Sequence, residues 1–215
     1  MYVSESDYTA LTCKKKSIED INITQEYYEY PNKARQKAYA IFIGIYNRCY
    51  KKDGSVHDCY DGATICQEWL DNPELFVDWY LKNYYSVKDE SMAVDKDLFG
   101  NGSLVYSPKT CCILPQTINT MLSNSKKHNN PNYVTAANLP LGVRYDEKKM
   151  VYYGEITPFG HDEAVTLTEW STAEEAFAEY KVIKKADIII MAIKYKNYLP
   201  ERVFEALMQY EVKPY

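Results

Sequence analysis

The feature that most restricts the fold of this chain is an amphipathic segment with a well-marked start near the C-terminal end. Thr172 and Glu175 form a capping box, in which a threonine and a glutamate three residues later bond reciprocally where a helix begins. The pattern predicts a helix over 171–195. One of its faces carries an apolar stripe: Ala176, Phe177, Tyr180 and Ile183. Because such a stripe must be buried, we expect this helix to cover a sheet.

The residues around this helix predict the rest of a C-terminal domain over 139–215. Two segments before it, LGVRYDEKKMVYYGEI and AVTLTEW, are rich in the β-branched and aromatic residues that favour strands. The segment LPERVFEALMQYEV after it predicts a last helix, with Pro200 near its first turn. This domain is therefore predicted as strands packed on a helix, followed by a final C-terminal helix.

The N-terminal domain, predicted over 1–122, combines helices with a small ββα unit. A helix is predicted over Lys33–Tyr50, and a second begins at Pro73 with four residues facing inward: Leu75, Phe76, Trp79 and Tyr80. The segments SMAVD and SLVYS are predicted strands joined by a turn at Gly100–Gly102, and a short helix begins at Pro115. Both domains together place the chain in the α+β class.

Residues 123–138 separate the two predicted domains. The stretch is rich in Asn and Ser and lacks apolar periodicity, which is typical of a linker or an exposed loop. It carries Lys126, Lys127 and His128 without a neighbouring acid. Two interpretations stay open, a solvated spacer and a strap along a phosphate backbone.

Composition narrows the class of protein. The 215 residues are 46% hydrophobic, which argues against a disordered chain. The formal net charge of −5 argues against a nucleic-acid binder held by electrostatics alone, although a local basic face can coexist with acidic flanks. No apolar run reaches roughly 18 residues, and the first residues lack the charged-then-apolar order of a secretion signal. We therefore expect a cytoplasmic protein without a membrane partner.

The cysteines argue for buried thiols rather than for a zinc site. The sequence has six of them: Cys13, Cys49, Cys59, Cys66, Cys111 and Cys112. None forms the C-x-x-C pair that zinc sites usually contain, and the neighbours at 111 and 112 are badly placed to bridge each other. In a reducing compartment such thiols behave as small hydrophobic side chains.

Two side chains with oxygen atoms that could bind a metal ion lie within the predicted ββα unit. Asp95 ends the first predicted strand, and Asn119 lies 24 residues later on the short helix. A ββα unit can hold a divalent cation between strand and helix, with open positions for a scissile phosphate and a base beside it to activate water. The same residue types are also usual at turns and on helix surfaces, so this pattern alone leaves both interpretations open.

A family resemblance bears on that choice. The segments IYNRCY, HDCYDGATICQEWL, FVDWY, AVDKD and GNGSLVYSPKTCCILPQTIN follow one another between Ile45 and Leu122. This stretch resembles the phage-borne HNH endonuclease family, whose members carry an RCY helix, an EW segment, an acidic strand end, a YSPENC segment and a helix with a late asparagine. The resemblance implies a phage or mobile-element hydrolase that cuts DNA phosphodiesters with Mg²⁺ or Mn²⁺. It also implies that Pro108 shapes a turn over a packed Cys111.

Carried over by position, the resemblance assigns roles to individual residues. Asp95 falls where such enzymes place the first metal ligand and Asn119 where they place the last. Lys96 and Asp97 fall in the catalytic region, but Lys96 stands where the general-base histidine is usual. Thr110 likewise stands where an orienting asparagine is usual.

Those two departures weaken the catalytic interpretation. A lysine with an ordinary pKa near ~10.4 is a poor base unless it is buried or lies beside a cation. Lys96 could instead hold a phosphate as a point charge. A base could also come from His57, His128 or His161, none of which the sequence places near Asp95.

A second resemblance covers Leu141 to about Tyr180. The segments GVRY, YYGEI and WSTAEEAFAEYK resemble the plant-type APETALA/ethylene-response DNA-binding domain. That domain lays a three-stranded antiparallel sheet in the major groove with one helix packed behind. On such a sheet, Arg144 could bind guanine through two hydrogen bonds, and Lys148 and Lys149 at the hairpin tip would meet phosphates. Tyr145, Tyr152 and Tyr153 could line the same sheet, with Tyr152 as the candidate DNA contact. The basic charge of Lys126 and Lys127 makes them candidate phosphate contacts from the linker. Acidic residues in the same hairpin leave open a solvated surface of mixed charge.

Two functions follow. The first is an HNH-like endonuclease that binds double-stranded DNA through its C-terminal sheet and cuts it with a divalent metal. The alternative is a catalytically inactive relative that binds DNA or a host protein, such as a regulator or inhibitor of host defence. The oligomeric state stays open.

Overall fold

This computed structural model describes residues 33–51, 62–122 and 139–214. Those parts contain seven helices and seven strands, which confirms the predicted α+β class. In them, no helix combines the length and apolarity needed to cross a membrane. The described residues divide into two compact units: those up to 84 together with 102–111, and 85–101 together with those from 112 onward.

The helices and strands are numbered in chain order. The helices are α1 (Lys33–Tyr50), α2 (Gln67–Asp71), α3 (Pro73–Asn83), α4 (Asp97–Gly100), α5 (Gln116–Leu122), α6 (Ala173–Tyr195) and α7 (Glu201–Gln209). The strands are β1 (Thr64–Ile65), β2 (Met92–Asp95), β3 (Val105–Tyr106), β4 (Cys112–Pro115), β5 (Val143–Asp146), β6 (Val151–Ile156) and β7 (Val165–Trp170).

The first unit is built around aromatic packing between α1, α2 and α3. The Phe76 ring lies 5.3 Å from that of Phe42 and 4.9 Å, edge-on, from that of Trp69. Arg35 on α1 forms ion pairs with Glu74 and Asp78 on α3, which fixes the two helices against each other. The predicted bounds of α1 are confirmed, and α3 begins at Pro73 as predicted.

One residue of α3 faces the other way from the prediction. Leu75 was predicted to face inward, but it is 38% exposed. Phe76, Val77 and Tyr80 form the buried face instead, because these positions lie together at helical spacing and Leu75 falls beside them. The Asn72 side chain accepts a hydrogen bond from the Glu74 N–H and starts the helix.

In the second unit, the strand pairing differs from the predicted hairpin. The prediction joined SMAVD to SLVYS, whereas β2 pairs antiparallel with β4, a strand that the sequence analysis missed. The second predicted strand contributes only β3, which pairs in parallel with β1 in the first unit. The Gly100–Gly102 segment is not a hairpin turn because Asn101, with φ 47°, ends α4 there in the left-handed conformation.

The C-terminal sheet is as predicted. It is a three-stranded antiparallel sheet in the order β5-β6-β7. Helix α6 packs against all three strands, and α7 packs against α6. The Thr172 hydroxyl oxygen accepts a hydrogen bond from the Glu175 N–H at 3.2 Å and donates one to the Glu175 carboxylate at 2.8 Å, so the predicted helix start is confirmed.

The core of the second unit crosses the predicted domain boundary. Buried side chains of β4 and α5, such as Leu114 and Ile118, belong to the same apolar cluster as Ile188, Met191 and Leu207 from the C-terminal helices. Residues 85–101 and 112–122 therefore group with the C-terminal sheet rather than with the predicted 1–122 domain. The predicted linker at 123–138 lies outside the described residues.

Four of the cysteines lie in the described parts of the chain, and none of these four is in a disulfide. Cys111 and Cys112 are buried, whereas Cys49 and Cys66 are half-buried. Cys13 and Cys59 lie outside the described residues.

Candidate functional site

The end of β2 forms a tight turn around the Asp95 carboxylate. Asp95 Oδ1 accepts hydrogen bonds from the backbone N–H groups of Asp97 at 3.1 Å and Leu98 at 2.8 Å. The side chain therefore satisfies two of the N–H groups that the start of α4 leaves unpaired. No described residue donates a hydrogen bond to the other oxygen, Oδ2.

Burial dominates the electrostatics of this carboxylate. Asp95 is only 5% exposed. Burial raises the pKa of Asp95 to about 6, and the two backbone hydrogen bonds lower it by less. Near neutral pH the group is still mainly ionised, so its carboxylate oxygens can attract a cation.

Lys96 does not stand as a base beside Asp95. Its Nζ lies 2.5 Å from Asp97 Oδ1 in an ion pair, with the Lys96 side chain buried and the Asp97 side chain exposed. A lysine in such a pair is an ammonium, which has no lone pair to accept a proton. The geometry therefore gives Lys96 and Asp97 a charge-neutralising role in this turn.

Asn119 lies on a different element from that turn. The register pairs Asp95 with Cys112 at the start of β4, whereas α5 follows Pro115 at the other end of that strand, opposite Met92. Asn119 is half-buried on α5. In the described parts of the chain no hydrogen bond joins it to Asp95. The structure thus brings Asp95, Lys96 and Asp97 into one turn and places Asn119 outside it.

Thr110, in the first unit, holds a turn rather than a catalytic group. Its hydroxyl donates to the Val105 carbonyl at 2.6 Å and lies 2.9 Å from the Ser107 hydroxyl. Pro108 lies inside this turn, and the Cys111 N–H closes it on the Ser107 carbonyl at 2.9 Å. The hydroxyl of Thr110 is therefore already used in shaping the backbone around 105–111.

The two faces of the C-terminal sheet have different roles. A β-carbon on Gly154 would lie 3.4 Å from Tyr180 Cβ on α6, so this position faces the helix. Alternation along β6 puts Tyr152 on the same face and Tyr153 on the opposite one. Arg144 pairs across the strands with Tyr153, so Arg144 also lies on the face away from α6. We call this face, with Arg144, Tyr153, Glu155 and Glu169, the outer sheet face.

This register changes which tyrosine belongs with Arg144. Of the three tyrosines expected to line the sheet, Tyr152 was the predicted DNA contact, but its ring lies 4.7 Å from that of Tyr145 on the helix side of the sheet. Tyr153 lies between Arg144 and Glu169 in the register. Residues paired across two strands share a face, so the β5–β6 register, which the sequence does not set by alternation alone, decides that Tyr153 accompanies Arg144.

The basic residues of the outer sheet face are paired with acids. Arg144 forms an ion pair with Glu155 at 3.3 Å, and Lys149 forms one with Glu169. The exposed hairpin tip carries Lys148 and Lys149, whose N–H groups both donate to Asp146 Oδ1. The pairing with Glu169 raises the pKa of Lys149. The acids on this face therefore balance its cations.

The linker lysines and the histidines that were considered as bases add nothing to the site around Asp95. Lys126, Lys127, His57 and His128 lie outside the described residues, and His161 is exposed in the loop after β6. Within the ranges that the structure describes, no three His, Cys, Asp or Glu side chains form a group able to hold a metal ion. Comparisons with models of known families, with curated proteins and with solved structures find no match to this chain.

Proposed function

We propose that this chain is a DNA-binding protein that contacts duplex DNA with its outer sheet face. The observation that carries the proposal is the placement of Arg144 beside Tyr153 on an exposed three-stranded sheet, with Lys148 and Lys149 at the adjoining hairpin tip. A β-sheet can enter the major groove, where an arginine binds guanine through two hydrogen bonds. The lysines at the tip would then meet the phosphates.

The balance of cations and acids on the outer sheet face limits how much phosphate attraction can contribute to DNA binding. Three cations (Arg144, Lys148 and Lys149) stand against four acids (Asp146, Glu147, Glu155 and Glu169) on the face and its hairpin. Electrostatic attraction between this face and DNA phosphates is therefore weak. To bind a base in the groove, Arg144 must first break its ion pair with Glu155. With about two or three phosphates neutralised, the affinity should fall with a log–log salt slope of about −2 to −3.

Binding of short labelled duplexes, measured by fluorescence anisotropy at low salt, tests the proposal. Arg144→Ala should weaken binding to the preferred sequence at least about tenfold, since a bidentate arginine–guanine contact contributes about 1–3 kcal/mol. Lys181→Ala is the matched control, because Lys181 is an exposed cation on α6, behind the sheet. Equal affinities for wild type and Arg144→Ala would contradict the proposal.

A second candidate function is metal-dependent DNA cleavage at Asp95. One observation favours it: Asp95 Oδ2 receives no hydrogen bond from the described residues and is available to Mg²⁺ or Mn²⁺. Against it stand the Lys96–Asp97 ion pair and the engaged Thr110 hydroxyl, which leave the expected base and orienting residues without catalytic roles. We therefore favour the non-catalytic DNA-binding protein.

Plasmid DNA incubated with either metal separates the two candidates. Cutting by wild type that disappears in Asp95→Asn would establish the nuclease, since the amide oxygen still accepts the two backbone hydrogen bonds of the turn. No cutting by either protein, with DNA binding retained, supports the non-catalytic binder. Loss of all DNA binding at low salt would leave a host protein as the partner.

A further inference from the structure

The last strand of the C-terminal sheet, β7, contains one residue more than its partner strand. Between the pairs Tyr153–Glu169 and Glu155–Thr166, β6 has one residue whereas β7 has two, at 167–168. Such an insertion is a β-bulge, which leaves the extra residue without a partner in the ladder. In the described residues β7 is an edge strand, with a strand neighbour on one side only. Among those residues, no second strand holds the bulge in place.

The bulge decides which face each later side chain of β7 occupies. Side chains alternate along a strand, so a shift of one residue moves all that follow to the other face. In the observed register Glu169 lies beside Tyr153 on the outer sheet face. Trp170 lies beside Tyr152 on the helix side. Without the bulge, alternation from Thr166 would turn Trp170 outward and Glu169 toward α6.

One carboxylate of α6, that of Glu179, binds the bulge from behind the sheet. The Thr168 N–H donates to Glu179 Oε2 at 3.2 Å, and the Thr168 hydroxyl donates to Oε1 at 2.8 Å. Trp170 Nε1–H donates to the same Oε2 at 2.8 Å. These donors lower the pKa of Glu179, the indole N–H most. Glu179 therefore supplies the acceptor for a backbone N–H at the bulge and ties the next inward side chain to the helix.

The two registers would present different chemistry on the outer sheet face. In the observed register, Glu169 forms an ion pair there with Lys149. In the register without a bulge, Thr168 and Trp170 would take the outward positions, and Lys149 would lose its acid. The face would then exchange a negative charge for an indole ring. The bulge thus decides what a partner meets on this part of the surface.

We propose that Glu179 is a positioning residue for the outer sheet face: its three hydrogen bonds fix the bulge of β7 and so keep Glu169, rather than Trp170, on that face. The register lock stands on the geometry of β7 alone. Its effect on DNA rests on the proposed function, because it changes the charge of the surface that would contact the duplex.

Disulfide trapping in the full chain reads the register directly. Glu169→Cys is combined with Tyr153→Cys, its partner in the bulged register, or with Tyr152→Cys, its partner when the bulge is absent. Oxidised glutathione accepts the electrons of the two thiols, and mass spectrometry of peptides distinguishes each bridge from those of native cysteines. With Glu179 in place, the 153–169 bridge should form and the 152–169 bridge should not, since Cβ atoms that point to opposite faces cannot be joined.

Variants of the anchor separate its hydrogen bonds from its charge. Glu179→Ala should raise the proportion of the 152–169 bridge at least about tenfold, since even one hydrogen bond to a charged group is equivalent to about that change in an equilibrium. Glu179→Gln should behave like wild type, because its amide oxygen accepts the two N–H groups and its NH2 can donate to the Thr168 hydroxyl. Trp170→Phe removes one donor and should give an intermediate proportion.

The outcomes that would overturn the register lock are equally direct. Equal bridges in wild type and Glu179→Ala would do so, as would a Glu179→Gln variant that matches Glu179→Ala. Circular dichroism checks that each variant folds. If Glu179→Ala does not fold, Trp170→Phe decides, and absence of the 152–169 bridge in that variant would refute the lock.

Anisotropy titration of duplex DNA tests the effect on the outer sheet face. In the wild-type chain, Glu169→Gln should tighten binding up to about fivefold, because it frees Lys149 from its ion pair. In the Glu179→Ala chain the same change should give little gain, since Glu169 has left the face. An equal gain in both chains would contradict control of the face by Glu179. The expected bridges in a chain that binds no DNA would instead refute the proposed function and leave the register lock intact.

Discussion

The ring of Tyr180 lies against the backbone of Gly142, so closely that no other residue fits at 142. A β-carbon there would lie 2.1 Å from Tyr180 Cε2 and 2.4 Å from Cζ. Gly142 also has a φ of +72°, which side-chain-bearing residues rarely adopt. This contact sets the distance between the first strand of the C-terminal sheet and α6.

Gly142→Ala should therefore be strongly destabilising. The positive φ costs about 1–2 kcal/mol, and displacing the buried Tyr180 ring adds a similar or larger amount, so we expect a loss of about 3–5 kcal/mol. Urea unfolding measures it. Gly160→Ala is the matched control, because Gly160 has a φ of +84° but no atom within 4 Å of its β-carbon. Equal losses for both variants would show that the Tyr180 contact contributes nothing.

The raised pKa of Asp95 predicts a pH-dependent stability. The folded protein holds the proton of Asp95 up to about pH 6, whereas the unfolded chain releases it near 3.8. Stability from this group is therefore greatest at low pH and is lost as pH rises from about 4 to 6. Asp95→Asn should remove this dependence.

The difference in unfolding free energy between Asp95→Asn and wild type measures this effect. In EDTA it should grow by about 2 kcal/mol, in favour of the variant, from about pH 4.5 to 7.5. Parallel pH profiles for the two proteins would mean that the carboxylate is well solvated in the folded state.

If the outer sheet face binds duplex DNA as proposed, removing the acid of the Arg144–Glu155 ion pair should tighten that binding. Glu155→Gln keeps the size of the side chain but frees Arg144 and removes a negative charge from the outer sheet face. We expect about fivefold tighter binding of duplex DNA at low salt, since a surface charge pair contributes about 1 kcal/mol or less. Anisotropy titration measures it. Glu174→Gln, on α6 behind the sheet, should leave the affinity unchanged, and an equal gain there would point to net charge rather than to this face.

Removing the Thr110 hydroxyl should lower the stability of the fold, because this hydroxyl holds the turn around 105–111. Thr110→Val keeps the shape of the side chain but leaves the Val105 carbonyl without its 2.6 Å donor. We expect a loss of about 1–3 kcal/mol in unfolding free energy. Thr120→Val, on the exposed side of α5, should change stability by less than about 0.5 kcal/mol. Unchanged stability in Thr110→Val would show that the turn does not depend on this hydroxyl.

Local patterns in the chain were sufficient to predict its regular elements. The start of α6 follows from Thr172 and Glu175, because a capping box depends only on residues within one turn. The bounds of α1 follow from helical periodicity, and the strands of the C-terminal sheet follow from runs of β-branched and aromatic residues. Asp95, Lys96 and Asp97 were also named from the sequence, but the burial of Asp95 and the Lys96–Asp97 ion pair were not predicted.

Tertiary structure alone decided which residues meet. The partner of β2 is β4 rather than the nearer predicted strand, because the wholly buried Cys112–Pro115 run joins a core completed by helices more than 60 residues later. The same packing buries Asp95, and the register between β5 and β6 places Tyr153 rather than Tyr152 beside Arg144. Helical periodicity and caps act between near neighbours, whereas strand pairing, burial and the pKa of a carboxylate depend on residues that only the fold brings together.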